Sequence, residues 1–187
     1  EYEIRSMVRL DGLLKMVNDL LDISRMELKT VHREIKKVCL HEVISSILEL
    51  FQLDINKKGI QVIFEKDASE LCIKADNDEI SRLFTNLISN AIKYNRDQGI
   101  INISLYQSDN YIITEIKDSG IGLKPEDKQR LFGEFFRAKN EKTKNISGTG
   151  LGLSIVKRIV DSYSGKIEVE SEFGEGTTFK VFFPAMN

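Results

Sequence analysis

Long apolar segments are missing from this sequence of 187 residues. No run of about 18 apolar residues occurs, and the first residues, among them Glu1, Glu3 and Arg5, do not form a signal peptide. We therefore expect a soluble chain in the cytoplasm, although the protein to which it belongs could still be anchored to a membrane.

Cysteine is scarce, and its placement excludes the usual small-domain frameworks. The two cysteines, Cys39 and Cys72, lie far apart in apolar surroundings typical of strands, and no CxxC pair is present. The sequence therefore predicts neither a zinc site nor a disulfide framework. We expect two buried, reduced thiols.

A strong excess of positive charge is also lacking. The chain has 27 Lys and Arg against 29 Asp and Glu, and its pI is near 5.8. This balance argues against nucleic acid as a partner, because nucleic-acid binders carry a basic field. With 41% hydrophobic residues, the chain can bury one good core, and its length predicts one domain plus an appendage.

The appendage is a long helix in residues 1–30, followed by a polar linker in residues 31–37. Apolar residues recur at alternating steps of three and four, as in a coiled-coil seam: Met7, Leu10, Leu14, Val17 and Leu21. A second stripe widens this face: Leu13, Met16, Leu20 and Ile23. We favour membership of a helical bundle, with a helix docked on its own domain as the alternative.

Residues 38–187 alternate between strand and helix patterns. Helical stripes cover residues 44–55, 77–94, 125–131 and 150–164, and strand patterns cover 38–40, 60–64, 71–75, 99–105, 111–117, 166–171 and 179–183. The short polar connection at residues 107–110 predicts an antiparallel hairpin. We expect an α+β, two-layer sandwich.

The long helix carries a polar face. Arg82, Asn86, Asn90 and Lys93 follow one another at steps of four, four and three, opposite its apolar side. Asn is a mediocre helix former, and its carboxamide oxygen is a good Mg²⁺ ligand. The alternative is a solvated helix face.

A second candidate site residue is Asp118, which ends an apolar strand and enters the glycine loop Ser119-Gly120-Ile121-Gly122. The glycines permit a flat ligand to approach closely, and the carboxylate could accept from an exocyclic amine. The alternative is an ordinary loop.

A third segment, Gly148-Thr149-Gly150-Leu151-Gly152, opens directly into a helix. Its free N–H groups and helix dipole suit phosphate oxygens. No Gly-x-x-x-x-Gly-Lys-Ser/Thr motif occurs, which excludes a P-loop NTPase, and the preceding polar stretch argues against a Rossmann fold. Upstream, Arg137 is a candidate phosphate contact, while Phe132, Phe135 and Phe136 could alternatively form a hydrophobic plug.

Taken in order, these segments resemble the N box, glycine boxes and F box of sensor histidine kinases, and Gly174-Glu-Gly176-Thr177-Thr178 resembles the final glycine box. The resemblance implies the Bergerat fold: a mixed, mostly antiparallel sheet with helices on one face. It implies ATP and Mg²⁺ as cofactors, Asn90 as the metal ligand, Asp118 on the adenine amine and residues 138–147 as an ATP lid. The candidate catalytic residues are Asn86, Lys93 and Arg137. The candidate nucleotide-binding residues are Asn86, Asn90, Lys93, Tyr94, Asp118, Gly120, Ile121, Gly122, Phe132, Phe136, Gly148, Thr149, Gly150, Leu151, Gly152, Leu153 and Thr177.

Within the proteins that share the Bergerat fold, the residue at position 86 distinguishes hydrolytic ATPases from histidine kinases. Hydrolytic members typically have Glu four residues before the metal-binding Asn, whereas Asn86 cannot act as that base. A transfer to histidine is favoured, because imidazole is itself a nucleophile. A hydrolytic ATPase and a non-catalytic nucleotide-sensing module remain the competing hypotheses.

The amino-terminal segment resembles the second helix of the dimerisation and phosphoacceptor hairpin. The first helix is missing, and neither His32 nor His41 lies in a His-Glu-x-x-x-Pro motif. The resemblance therefore implies three partners: a helix that carries the phosphoacceptor His, a response regulator receiver domain and a second copy of the full-length protein.

Overall fold

The computed structural model describes residues 10, 12–14, 16–21, 23–24, 33–67, 70–138, 143 and 148–185. The described residues between 10 and 24 are helical. The remaining elements are β1 (Ile35–Cys39), α1 (Leu40–Leu50), α2 (Gln52–Lys58), β2 (Gln61–Lys66), β3 (Cys72–Asp76), α3 (Asn77–Lys93), β4 (Ile100–Ser108), β5 (Tyr111–Asp118), α4 (Pro125–Lys128), α5 (Gly152–Ser162), β6 (Lys166–Glu172) and β7 (Gly176–Pro184). No helix in these described ranges is both long and apolar enough to cross a membrane.

The main sheet has five strands in the order β2-β4-β5-β7-β6, and β1 and β3 form a separate antiparallel pair. Within the five-stranded sheet only β2 and β4 are parallel. This arrangement confirms the predicted α+β fold with a mixed, mostly antiparallel sheet. The hairpin of β4 and β5 is also confirmed, with Ser108 opposite Tyr111.

Helix α3 is the central helix of the fold. Its apolar side is fully or almost fully buried: Ile80, Leu83, Phe84, Leu87, Ile88, Ala91 and Ile92. Asp76 caps its start, since its Oδ1 accepts the N–H groups of Asp78 at 3.0 Å and Glu79 at 3.2 Å. Helix α3 contacts α1, α5 and β5, and these contacts set the orientation of the helix. Its polar face is therefore turned away from the core.

Three predicted helices differ in their bounds from those observed. The predicted helix at residues 44–55 is two helices, because the backbone turns at Phe51 (φ −93°, ψ 7°) before Gly59 ends α2 in a left-handed conformation. Helix α4 stops at Lys128 rather than at Leu131. Helix α5 begins at Gly152, because Gly150 has a φ of +77° that no right-handed helix contains.

The expectation of two reduced thiols is wrong. Cys39 and Cys72 are opposite one another on β1 and β3 and form a disulfide. The N–H of Leu40 donates to the carbonyl of Leu71 at 3.0 Å, so the adjacent cysteine pair is a non-hydrogen-bonded pair, in which opposite side chains are closest. The sequence did not predict that β1 pairs with β3, and therefore missed this contact.

The described part of the amino-terminal helix contacts the globular unit while keeping an apolar stripe exposed. Ile23 is 5% exposed and belongs to the core, and the buried carboxylate of Asp19 lies 3.1 Å from a guanidinium nitrogen of Arg82. The exposed stripe consists of Leu10, Leu13, Leu14, Met16, Val17, Leu20 and Leu21. The helix thus has one face on its own domain and an apolar face that bundle formation would cover.

A buried polar network joins the linker to the two main helices. Glu79 of α3 is 7% exposed; it accepts from Arg33 at 2.9 Å and from the hydroxyl of Tyr163 at 2.5 Å. The same hydroxyl accepts the N–H of Asp76 at 3.0 Å. Burial, together with the neighbouring Glu79 carboxylate, raises the pKa of Tyr163. The hydroxyl therefore stays protonated and satisfies two groups at the start of α3.

The Tyr163→Phe variant should lower the free energy of unfolding by about 1–3 kcal/mol, because it leaves the buried Glu79 carboxylate and the N–H of Asp76 each short of one partner. Urea unfolding followed by circular dichroism measures this loss. Tyr111→Phe is the matched control, since Tyr111 is the first residue of β5 and is 42% exposed. Equal midpoints for the two variants would contradict a stabilising role for the network.

Candidate nucleotide-binding site

One cavity lies between α3, the loop that follows β5 and the start of α5. It encloses about 1060 Å³ of empty space, including the solvent at its mouth. Its lining consists of Asn86, Ser89, Asn90, Lys93, Tyr94, Asp118, Ile121, Gly122, Leu123, Leu131, Phe136, Arg137, Ala138, Thr143, Gly148, Thr149, Gly150, Gly152, Leu153, Thr177 and Phe179. A concave surface that combines apolar walls with converging polar side chains is typical of small-molecule sites.

Helix α3 contributes the polar face predicted from its spacing. Asn86, Asn90 and Lys93 all line the cavity. The Nδ2 of Asn86 donates to the carbonyl of Arg82 at 3.1 Å, one turn earlier in the helix. The ammonium of Lys93 lies 5.9 Å from the centre of the Tyr94 ring. Two carboxamides and a cation therefore share one helix face.

The glycines at the start of α5 allow it to approach α3 closely. A Cβ added to Gly152 would lie 2.7 Å from Oδ1 of Asn86, and one added to Gly148 would lie 3.2 Å from Nζ of Lys93. A Cβ on Gly150 would lie 2.8 Å from the backbone of Phe135. A side chain at Gly150 would have to displace the backbone of Phe135, whereas one at Gly148 or Gly152 would displace the ends of the Lys93 and Asn86 side chains.

The start of α5 faces this cavity without a side-chain cap. The N–H of Leu151 donates to Oγ1 of Thr149 at 3.3 Å, and that hydroxyl donates to the Asp19 carboxylate of the amino-terminal helix at 2.8 Å. Open N–H groups at a helix start, at the positive end of the dipole, favour an anionic ligand. Lys93 and Arg137 add two cationic side chains to the same lining.

Asp118 supplies the buried carboxylate of the cavity. It is 7% exposed, and its Oδ1 accepts the N–H of Gly120 at 2.8 Å. Burial raises the pKa of Asp118 to about 6, although hydrogen bonds from the backbone N–H groups of Gly120 and Thr177 oppose the shift. Above that pH the carboxylate can accept a hydrogen bond from a ligand amine.

Three predicted site residues lie outside the cavity lining. Gly120 sits behind it, with its N–H on Asp118. Leu151 is completely buried in the core, and Phe132 is partly buried and packs against the core. Every other predicted site residue contributes to the lining.

The sequence did not single out several residues that the fold brings to the cavity. Leu123, Leu131 and Phe179 are apolar wall residues, and Ser89 is a polar one. Thr143 also lines the cavity and belongs to the predicted lid at residues 138–147, of which all but Ala138 and Thr143 lie outside the described residues. Phe179 follows the alternation of β7, which marks its inward face. Asp19 reaches Thr149 from another part of the chain, and no local pattern indicates that contact.

Comparison with known proteins agrees with this geometry. Residues 75–187 match the family described as histidine kinase-, DNA gyrase B- and HSP90-like ATPases. The chain belongs to that ATPase family.

Within the family, sensor histidine kinases are among the most similar relatives, which confirms the resemblance inferred from the motifs. Sensor histidine kinase RppB of Synechocystis sp. is 30% identical over 92% of this chain and 38% of its own length. Sensor histidine kinase WalK of Bacillus subtilis is 29% identical over 93% of this chain and 29% of its own length. The chain thus spans less than two fifths of either relative.

Solved structures extend this similarity to the fold. The catalytic domain of histidine kinase ThkA has a TM-score of 0.71 and 32% identity, over 81% of this chain and 96% of that domain. Full-length ShkA in complex with AMPPNP has a TM-score of 0.81 and 26% identity, over 98% of this chain and 40% of its own. ThkA in complex with the response regulator TrrA has a TM-score of 0.76 and 28% identity, over 96% of this chain and 49% of its own.

Replacing Gly122 by Ala should destabilise the loop that carries Asp118. Gly122 has a φ of +62°, and a Cβ there would overlap the carbonyl oxygen of Glu172. Gly174 is the matched control, because its φ of +97° is also positive but a Cβ would meet nothing within 4 Å. We expect Gly122→Ala to cost about 1–3 kcal/mol more than Gly174→Ala in urea unfolding. Equal costs would mean that the positive φ alone explains the loss of stability, and that the overlap with the carbonyl of Glu172 adds nothing.

Proposed function

We propose that this chain binds Mg-ATP in the cavity and transfers the γ-phosphoryl group to a histidine on a helix that the chain does not contain. It would be the catalytic part of a sensor histidine kinase. The observation that carries this proposal is the pair Asn86 and Asn90, which lie one turn apart on α3 and face the glycine-rich start of α5.

The cavity residues have distinct proposed roles. Asn90 would hold Mg²⁺ through its carboxamide oxygen, a hard ligand suited to that ion. Lys93, Arg137 and the start of α5 would stabilise the negative charge of the phosphoryl group during transfer. Asp118 would accept from the exocyclic amine of adenine, and Tyr94, Ile121 and Thr177 would lie along the nucleotide. ShkA, similar in fold, is known in complex with the ATP analogue AMPPNP.

Asn86 favours transfer over hydrolysis. Its amide has no basic group with which to activate a water molecule, and its Nδ2 already donates within α3. A histidine acceptor is itself a nucleophile and needs less activation. The lining therefore supports a phosphotransferase better than a hydrolytic ATPase.

The remaining partners follow from the same proposal. The apolar stripe of the amino-terminal helix would be covered by the missing helix and by a second copy of the full-length protein. His41 lies in the first turn of α1 and has no proposed role as acceptor. A response regulator receiver domain would take the phosphoryl group, as the complex of ThkA with the response regulator TrrA suggests. We place this catalytic part in the cytoplasm, where ATP is available.

One contact favours a second candidate function, a nucleotide-sensing module without phosphotransfer. Thr149, in the glycine-rich segment, donates to Asp19 of the amino-terminal helix. A nucleotide that rearranged this segment would change how the helix sits on the domain. This candidate predicts Mg-ATP binding with no transfer to any histidine-bearing helix.

The Asn90→Ala variant should transfer phosphate about 100-fold more slowly to a separate protein that carries the missing histidine helix, because Mg²⁺ loses a direct ligand. Radiolabelled ATP and a gel assay measure the rate, and titration with ADP at several Mg²⁺ concentrations measures binding. Thr85→Ala is the control, since Thr85 lies on the same helix outside the cavity lining. Unchanged transfer would contradict the metal-ligand assignment, and binding without transfer by the wild type would support the sensing module.

Binding of Mg-ADP should weaken as the pH falls through about 6, by up to about tenfold per pH unit, because the Asp118 carboxylate must be ionised to accept the adenine amine. In the free protein the raised pKa has the opposite effect on stability, which falls as the pH rises. The unfolded carboxyl ionises at a lower pH, so burial of the charged Asp118 costs stability above about pH 6 and costs nothing well below pH 3.8.

Calorimetric titrations from pH 5 to pH 8 test this dependence on the wild type and on Asp118→Asn in identical buffers. The variant should bind more weakly at pH 8 and lack the wild type's additional loss at low pH. The same pH profile in both proteins would assign the dependence to the nucleotide phosphates and contradict a role for Asp118.

A further inference from the structure

A second group of chemically reactive side chains lies at the end of the small sheet. Cys39 and Cys72 are opposite one another on β1 and β3, and Glu70 lies just before β3. Taking one atom from each residue, the two sulfurs and a Glu70 carboxylate oxygen lie within 4.8 Å of one another. Sγ of Cys39 is 3.6 Å from Oε1 of Glu70. None of these residues lines the nucleotide cavity.

The backbone holds these three side chains together whether or not the sulfurs are bonded. Five residue pairs join β1 to β3, from Ile35 opposite Asp76 to Cys39 opposite Cys72. Leu40 also donates to Leu71, on the far side of the cysteine pair. Because hydrogen bonds flank the pair on both sides, breaking the disulfide would leave the thiols facing one another.

We propose that reduction of the Cys39–Cys72 disulfide creates a binding site for a thiophilic divalent cation of the Zn²⁺ class, formed by the two thiolates and the Glu70 carboxylate. Two thiolates and a carboxylate are a ligand set that Zn²⁺ accepts in proteins. The fourth position would be taken by water. This site is independent of the proposed nucleotide chemistry.

The disulfide and the dithiol interconvert by thiol–disulfide exchange, which conserves atoms and electrons. A dithiol reductant supplies two electrons and two protons, its own sulfurs become a disulfide, and Cys39 and Cys72 become thiols. Binding of the cation then releases the two thiol protons to solvent. Oxidation by a disulfide-bonded partner reverses the first step after the cation has left.

The surrounding charges suit such a site. Two thiolates and one carboxylate exceed the charge of a divalent cation by one, and the ammonium of Lys37 lies 2.7 Å from Oε2 of Glu70. The charge of Lys37 therefore offsets the excess negative charge of the ligand set. Cys72 is 2% exposed while Cys39 is partly exposed, which shields one ligand and leaves the other open to solvent.

The test uses the whole chain, reduced with a dithiol that is then removed under nitrogen, and an untreated oxidised sample. Zn²⁺ is titrated in competition with a chromophoric chelator, and Co²⁺ reports thiolate ligation through its charge-transfer absorption. We expect the reduced protein to bind one equivalent of Zn²⁺ and the oxidised protein to bind none. Equal binding by both samples, or none by the reduced one, would overturn the proposal.

Variants assign the ligands. Loss of an outer partner of a metal ligand typically costs about 10–100-fold in affinity, so Cys39→Ser and Cys72→Ser should each cost at least about 100-fold. Glu70→Gln should cost about tenfold or more, while Glu65→Gln, an exposed carboxylate on β2, should cost nothing. If the buried Cys72→Ser variant does not fold, Cys39→Ser and Glu70→Gln decide the outcome. Wild-type affinity in both of them would contradict the assignment.

Discussion

The contact between α3 and the start of α5 is the constraint on which the cavity depends. Helix α3 buries its apolar side against the core, so its orientation is set by packing over most of its length. Gly152 then lets α5 begin next to the side chain of Asn86, closer than any side chain at that position would allow. Because Gly152 permits this approach, the polar face of α3 and the open N–H groups of α5 line the same cavity.

Burial of Asp118 lowers the stability of the free protein but prepares the site for a ligand. A buried carboxylate costs free energy, and the raised pKa of Asp118 is the measure of that cost in the free protein. The N–H groups of Gly120 and Thr177 offset part of it and also fix the direction of the side chain. The site therefore holds an acceptor in place before a ligand arrives, which spares the ligand the ordering entropy of a mobile side chain.

Two contacts connect the site to the rest of the chain. Thr149 joins the glycine-rich segment to Asp19, and Arg82 of α3 reaches the same carboxylate. Arg33, in the linker, joins Glu79, which lies three residues before Arg82 near the start of α3. The amino-terminal segment thus contacts α3 at two places, and a movement of the helix would be felt at the start of α5. The disulfide of β1 and β3 ties the first strand of the globular unit to the strand that leads into α3.

Local patterns were sufficient for much of this protein. The spacing of Asn86, Asn90 and Lys93 identified one helix face, and the glycines around Asp118 and Gly150 marked two loops, because periodicity and backbone freedom are properties of neighbouring residues. Tertiary structure alone decided the parallel pairing of β2 with β4, the meeting of Cys39 with Cys72, the burial of Leu151 and the contact of Asp19 with Thr149. Each of these joins residues that are distant in the chain, and which distant segments meet depends on the packing of all the elements around one core.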